Sequence, residues 1–354
     1  MLPSAADLRH HLRYLTQARF QSLDGLRALS ILAVIWHHTA PKWIDPDLIQ
    51  AGTHGVTLFF AISGFLISTL LLREYGRSGR IDLVAFYVRR AYRIFPLYYA
   101  VLALYVVMVA VMERQSSAGQ QFFHNLRYFA TYTSNLFIPH DGRTIFYFAW
   151  SLAVEEQFYL IWPAVLLTCL RVTQALWAPV AALLLGLILL LAFSHFHSAA
   201  PFAILLGALL ALALHHAPTY RLFGWVLGRP YAAPLALISL IGALMGAAPT
   251  MWIDGLCVLL VAACVWQEQH GLTRFLTTKI LVYIGSISYG MYLLQMISKN
   301  LVLMGVERLI GRDSLPWHGL EITVLTVVCT MFLAGLSFKY FESQFLQRKA
   351  AYAR

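Results

Sequence analysis

Runs of apolar residues, each closed by a few charged or turn-forming positions, follow one another from about residue 26 to residue 341. They predict spans at roughly 26–41, 55–72, 94–112, 149–170, 176–194, 200–216, 234–248, 251–266, 281–305 and 320–341. About twenty apolar residues cross a bilayer as a helix. The pattern therefore predicts an all-α polytopic membrane protein of about ten transmembrane helices. An eleventh run, 122–138, is short and carries His124, Asn125, Arg127 and Asn135. Polar groups at that density are costly in lipid, which makes this run a re-entrant or interfacial piece.

The charges support the same count. With ten spans, Arg73, Arg77, Arg80, Arg89, Arg90, Arg93, Arg171, Arg221, Arg229, Arg274, Lys279 and Arg348 all fall on the side of both chain ends. Basic loops stay cytoplasmic, so the N- and C-termini are expected inside and 113–148 outside. The 12% of charged residues lies well below the ~25% of soluble domains, which excludes a soluble fold. The excess of 26 Lys and Arg over 16 Asp and Glu points to topology and to anionic lipid or substrate, not to nucleic acid.

No internal repeat or long linker divides the chain. It reads as a basic cytoplasmic N-terminal segment (1–22), a membrane domain (23–342) and a cytoplasmic tail (343–354). The first segment carries Arg9, Arg13 and Arg19, lacks the apolar core of a signal peptide, and suits the lipid surface. Cys169, Cys257, Cys264 and Cys329 lie in or beside apolar runs with no C-x-x-C and no histidine at metal spacing, so they are expected in the core and no metal site is expected. His195, His197, His215 and His216 sit at span ends without a motif.

Four stretches carry candidate chemistry. In the first, Arg27 and His38 are eleven residues apart. Eleven steps of 100° come within about 20° of three turns, so both share a helix face, separated by roughly 16 Å along the axis. His37 points about 100° away. A cation at one end and an imidazole deeper in suit a ligand with an anionic head and a reactive tip. A snorkelling arginine and an interfacial histidine fit the pair equally well.

In the second, Arg89, Arg90 and Arg93 stand in an aromatic frame before Pro96. Their planar guanidinium forks match phosphate oxygens, and topology determination is the alternative. The third is Trp150-Ser-Leu-Ala-Val-Glu-Glu-Gln-Phe-Tyr159. Glu155 and Glu156 inside an apolar helix require a polar cavity or a partner. One of them is expected to hold His38 as the orienter of a general base, and the other to form an ion pair with an arginine such as Arg127 or Arg143. The fourth holds Ser63 and Gly64, which permit close approach of another helix or of a slim ligand such as a pantetheine arm.

Taken together, in this order, the four stretches resemble the acyltransferase-3 family of integral membrane O-acyltransferases. The family's Arg-x10-His is carried by Arg27 and His38, and its Arg-x-x-Arg by Arg90 and Arg93. Phe60-Ala-Ile-Ser-Gly-Phe-Leu66 and the Glu155-Glu156 stretch are similar to its other signatures, and the resemblance runs from Leu23 to about Glu342. Two departures stand out: Gln295 closes Ser288-Tyr-Gly-Met-Tyr-Leu-Leu-Gln295 where many relatives have histidine, and no proline follows Glu342 closely.

The resemblance implies an acyl-coenzyme A co-substrate, usually acetyl-CoA, with no permanently bound cofactor. His38 would be the catalytic base, with Glu156 or Glu155 orienting it. Arg90 and Arg93, with Arg27 and Arg89, would hold the donor's phosphates. The acceptor would be a hydroxyl of an envelope carbohydrate, glycolipid or exopolysaccharide, and the location the bacterial inner membrane. No esterase-like domain is expected after residue 342. The alternative is a transporter or flippase of an anionic or glycosylated lipid. Transporters often show internal repeats and paired broken helices, and neither is visible in the sequence.

Overall fold

The computed structural model describes residues 5–41, 43–138, 144–173, 175–193, 202–246, 248–311 and 319–349, with helices and no strand among them. In chain order the first helices are α1 (Ala5–Thr16), α2 (Gln21–Thr39), α3 (Pro46–Ala51), α4 (His54–Ser78), α5 (Leu83–Met112), α6 (Ser117–Ala130), α7 (Ser134–Phe137) and α8 (Ala149–Thr173). There follow α9 (Trp177–Phe193), α10 (Phe202–His215), α11 (Ala217–Leu227), α12 (Ala232–Met245), α13 (Thr250–Trp266), α14 (Thr273–Leu276), α15 (Lys279–Ile310) and α16 (Gly319–Ser337). A π-helical turn, Phe338–Glu342, then leads into α17 (Ser343–Lys349). Arg143, His195 and His197 lie outside the described residues.

Each apolar run expected to span corresponds to a helix, yet not every one has the length and composition to cross a membrane. Among the described residues five do: Pro46–Ser78, Leu83–Met112, Ala149–Thr173, Lys279–Leu309 and Gly319–Arg348. Phe202–His215 and Ala217–Leu227 make a sixth if their 106° bend is counted as one broken span. Trp177–Leu191, Ala232–Met245 and Thr250–Trp266 are apolar but shorter. These helices place exposed Leu185, Ile188, Ile238, Val324 and Phe332 on the outside of the bundle. Large apolar side chains exposed on helices of this length and hydropathy belong in lipid, and the chain is an integral membrane protein.

The demoted run, 122–138, folds as the C-terminal part of α6, then α7. At 14 residues α6 is about 21 Å long, short of a ~30 Å hydrocarbon core. Ser116 caps it by accepting from the Gly119 backbone N–H at 3.0 Å. Tyr98 and Tyr99 of α5 donate to the Phe129 and Ala130 carbonyls at 2.7 and 2.9 Å, satisfying the end of α6. Asn135 and the Tyr132 carbonyl are bonded by Gln157 of α8. Asn125 and Asn135 therefore face protein, while His124 and Arg127 stay on the exposed side.

Two apolar cores hold the bundle. One joins α4, α8, α10 and α13 through Phe65, Ile67, Leu166, Leu214 and Leu260. The other joins α2, α5, α6 and α15 through Ile31, Tyr98, Phe129, Phe148 and Met291. Small residues bring backbones together where these helices cross. A Cβ on Gly64 of α4 would fall 1.9 Å from the Ile204 carbonyl oxygen of α10, and one on Gly207 would fall 2.3 Å from that of Ala61. Only glycine permits that crossing.

The N-terminal segment also packs on protein. Arg73 of α4 donates to the Tyr14 and Gln17 carbonyls at 2.5 and 2.6 Å, and the Tyr14 ring is buried against Tyr220. Helix α1 therefore docks against the bundle through its Tyr14 side, with Leu8 and Leu12 exposed on the other. Burial holds the His11 imidazole, bonded to the Leu214 carbonyl at 3.1 Å, below its ordinary range.

Candidate active site

Helix α2 runs unbroken from Gln21 to Thr39, so Arg27 and His38 do ride on one helix at opposite ends of one face. They open onto different surroundings.

Arg27 lines a cavity of about 280 Å³ bounded by α2, α4, α5, α8 and α15. Its wall on α4 extends from Val56 to Leu70, about 21 Å along the helix axis. Arg90, Arg93, Ser63, Glu155, Glu156 and Tyr159 also line it. The position of the α5 arginines follows from where that helix begins. Asp82 caps it by accepting from the Ala85 backbone N–H at 2.9 Å, which puts Arg90 and Arg93 two to three turns in and, one turn apart, on one face. Arg90 lies over the Phe86 and Tyr159 rings at 5.7 and 5.2 Å, held for cation–π contact.

Arg89 is turned away. It pairs with Glu74 at 3.4 Å outside the cavity, because a residue adjacent to Arg90 projects about 100° round the helix. Gly64 is turned away too: it faces α10 at the crossing described above, and only its neighbour Ser63 reaches the cavity. Both were expected at the donor site, and packing geometry gives both other tasks.

The two glutamates split by the same 100°, yet the cavity wraps far enough round α8 to receive both. Glu155 accepts hydroxyl hydrogen bonds from Ser63 and Tyr159 on a single carboxylate oxygen, Oε1. Glu156 lines the same cavity as Arg90, whose charge acts on it, and carries no hydrogen bond among the described residues. Arg127, one expected partner of the pair, instead donates to the Tyr128 hydroxyl at 2.9 Å and lies over that ring.

His38 does not line this cavity, and no glutamate bonds its ring. Its Nδ1 lies 3.1 Å from Gln295 Oε1 of α15, and its Nε2 is hydrogen-bonded to the Tyr147 hydroxyl. Lys299 of α15 donates to the His38 carbonyl at 2.6 Å, and Thr323 of α16 to the Thr39 carbonyl at 3.1 Å. These bonds satisfy two of the orphan carbonyls at the end of α2 and fix the helix end that presents the imidazole. His37 leaves the face, its Nδ1 on the Ile49 carbonyl at 3.1 Å.

Tyr147 also lines a second cavity, of about 310 Å³, with Tyr105, Glu113, Phe148, Met296 and Asn300. Tyr292, whose hydroxyl is 2.6 Å from Ser151 Oγ, lines the first cavity, and its carbonyl accepts from Gln295, the residue bonded to His38. The imidazole thus lines neither cavity, and reaches the aromatic, polar one through its hydrogen bond to Tyr147.

Tyr147 and Lys299 lie outside the four stretches, whereas Tyr159 closes the Trp150–Tyr159 stretch and Tyr292 lies inside Ser288–Gln295, where sequence reasoning assigned neither a role. Their aromatic or cationic character beside the Glu-Glu and Ser-Tyr-Gly stretches was the only signal. Among the described residues no cluster of His, Cys, Asp and Glu could hold a metal ion.

The model of the family described as "Acyltransferase domain" matches residues 20–338. "Putative peptidoglycan O-acetyltransferase YrhL" of Bacillus subtilis (strain 168) is 28% identical over 374 residues, covering 94% of this chain and 55% of that protein. Peptidoglycan O-acetyltransferase OatA of Listeria monocytogenes serovar 1/2a is 33% identical over 183 residues, 48% of this chain and 26% of that protein. The chain spans about half the length of the curated relatives it matches end to end. No solved structure matches it.

Proposed function

The chain belongs to the acyltransferase-3 family, and from that premise we propose that it moves an acyl group, acetyl in the first instance, from acyl-coenzyme A to a hydroxyl of a cell-envelope carbohydrate or glycolipid. The observation that carries this reading is a cationic cavity opening along the same helix that carries His38. Arg27, Arg90 and Arg93 offer guanidinium forks to the phosphates of the donor. The elongated wall of α4, with Ser63 at its middle, suits a slender thioester arm directed towards Tyr292 and His38.

The chemistry then follows from the imidazole. Nε2 of His38 takes the proton of the acceptor hydroxyl as that oxygen attacks the thioester carbonyl. The tetrahedral intermediate collapses with cleavage of the carbon–sulfur bond. The imidazolium returns the proton to the departing thiolate, leaving an ester and free coenzyme A.

Glu155, stapled by Ser63 and Tyr159, holds the shape and charge of the donor cavity, and Glu156 supplies its open carboxylate. The second cavity, with its aromatic rings, Glu113 and Asn300, has the composition of a sugar site and shares Tyr147 with His38. The acceptor would enter there. The relatives' names favour a glycan acceptor such as peptidoglycan.

In this reading the chain crosses the bacterial inner membrane about ten times with both ends cytoplasmic, so that donor enters from the cytoplasm and acceptor from outside. Purified protein in nanodiscs, given acetyl-CoA and envelope glycan, is expected to release free thiol and to acetylate the glycan. Movement of a labelled glycolipid between leaflets without thiol release would replace the reading with a flippase.

A further inference from the structure

His38 has the hydrogen-bonding environment of a base whose proton position is already chosen. Gln295 is 1% exposed and sits in an apolar stretch of α15. Its Nε2 donates to the Tyr292 carbonyl at 3.2 Å, and its Oε1 faces His38 Nδ1 at 3.1 Å. A backbone carbonyl can only accept, so the amide cannot be turned round without setting its NH₂ against Nδ1 and its oxygen against the Tyr292 oxygen. An amide oxygen can also only accept. The proton of a neutral His38 must therefore lie on Nδ1, which leaves the lone pair on Nε2 and makes Tyr147 the donor to it.

We propose that Gln295 is the positioning residue of this site: it fixes the neutral Nδ1–H tautomer of His38, so that Nε2, the nitrogen shared with Tyr147, is the one that takes the acceptor's proton. A neutral amide does here what a carboxylate does in many general-base pairs, without placing a charge in the membrane. Tyr147 keeps Nε2 hydrogen-bonded until an acceptor hydroxyl replaces it. The titratable or charged groups nearest the ring are His37, Tyr147 and Lys299, whose ammonium is taken up by the His38 carbonyl. None of them is a carboxylate that could take over from the amide.

This assignment rests on His38 being the base, and its test separates the two. The full chain is labelled with ¹⁵N-histidine in nanodiscs, and the His38 signals are identified by their loss in His38→Gln. Their shifts are expected to show protonated Nδ1 and bare Nε2 at neutral pH. A wild-type His38 protonated on Nε2 overturns the proposal whether or not the protein is active, whereas a fixed tautomer without any acetyl transfer would strike only at the function.

Two variants add kinetics. Gln295→Met keeps volume but cannot accept, so the tautomer bias is lost. The maximal rate should fall on the order of ten- to a hundredfold, the loss of the hydrogen bond that holds the ring, while the acetyl-CoA concentration for half-saturation stays the same. Gln295→Glu can still accept from Nδ1 but adds a charge that favours imidazolium. It should recover rate relative to Gln295→Met at high pH, with the acidic limb of the pH profile moved upwards by about one unit. Equal losses in both variants with an unmoved limb would reduce Gln295 to packing.

Discussion

The two ends of α2 solve different problems by opposite means. Around Arg27 the protein gathers charge: three arginines and two glutamates line one elongated cavity, and aromatic rings hold Arg90 in place. Around His38 it uses almost none. A neutral amide and a phenol hold the ring, and the lysine nearby is spent on a helix-end carbonyl. A cavity that binds a polyanion needs cations and can admit water with the ligand. A base needs one bare nitrogen, and a carboxylate beside it would favour the protonated form that cannot act. In the proposed reading, binding and proton transfer are therefore separated along one helix, and substitutions at the two ends should separate them in kinetics.

The largest effect is expected at the neutral end. His38→Ala should lower the transfer rate on the order of a hundred- to ten-thousandfold, the worth of a positioned general base, with acetyl-CoA affinity and folding retained. His37→Ala should be mild, since His37 serves the Ile49 carbonyl. The reverse ranking, read as acetyl ester formed per unit protein, would put the reacting face on the wrong side of α2.

At the charged end, Arg90→Ala or Arg93→Ala should weaken acetyl-CoA binding roughly ten- to a hundredfold. That is the loss of about 1.5–3 kcal/mol from a charge-assisted contact. The rate at saturation should be little changed, and Lys should rescue only partly, being a point charge in place of a fork. Isothermal titration with acetyl-CoA reads this directly.

Gly64→Ala should act on stability instead. Its Cβ would meet the Ile204 carbonyl at the α4–α10 crossing, at a cost of about 1–3 kcal/mol for overpacking. The thermal transition should fall while the folded fraction binds acetyl-CoA normally. Arg89→Ala should do least. Its pair with Glu74 is partly exposed and worth about 1 kcal/mol at most, and donor affinity should hold within about twofold. A strong loss of acetyl-CoA affinity on Arg89→Ala would show that the phosphates lie outside the cavity.

The charged end was legible in the sequence and the neutral end only half so. Arg27, Arg90 and Arg93 announce themselves as cations on apolar helices, and the 3.6-residue period places them on shared faces. Arg89 and Gly64 show the limit of that reading. Residue type nominated them, but only the packing of α5 and α10 decides which way they point.

The expected Glu–His pair failed for a related reason. A carboxylate is the familiar partner of an imidazole, but the partner at hand is Gln295, 257 residues away in sequence. It was visible only as a departure from the histidine common in relatives. Tyr147 lies in a turn that no periodicity marks. Spans were legible as apolar runs, yet among the described residues five or six helices have the length and composition to cross alone, because the other runs fold into shorter helices and α2 carries charge.

The division of labour along α2 is tested most directly by measuring acetyl-CoA affinity and thiol release side by side, in nanodiscs, for the wild-type protein, His38→Ala and Arg90→Ala/Arg93→Ala. His38→Ala should bind acetyl-CoA as the wild type does and release almost no thiol. The double arginine variant should bind weakly and approach wild-type release once acetyl-CoA is saturating. Loss of affinity in His38→Ala, or a saturated double arginine variant that stays inactive, would contradict the separation.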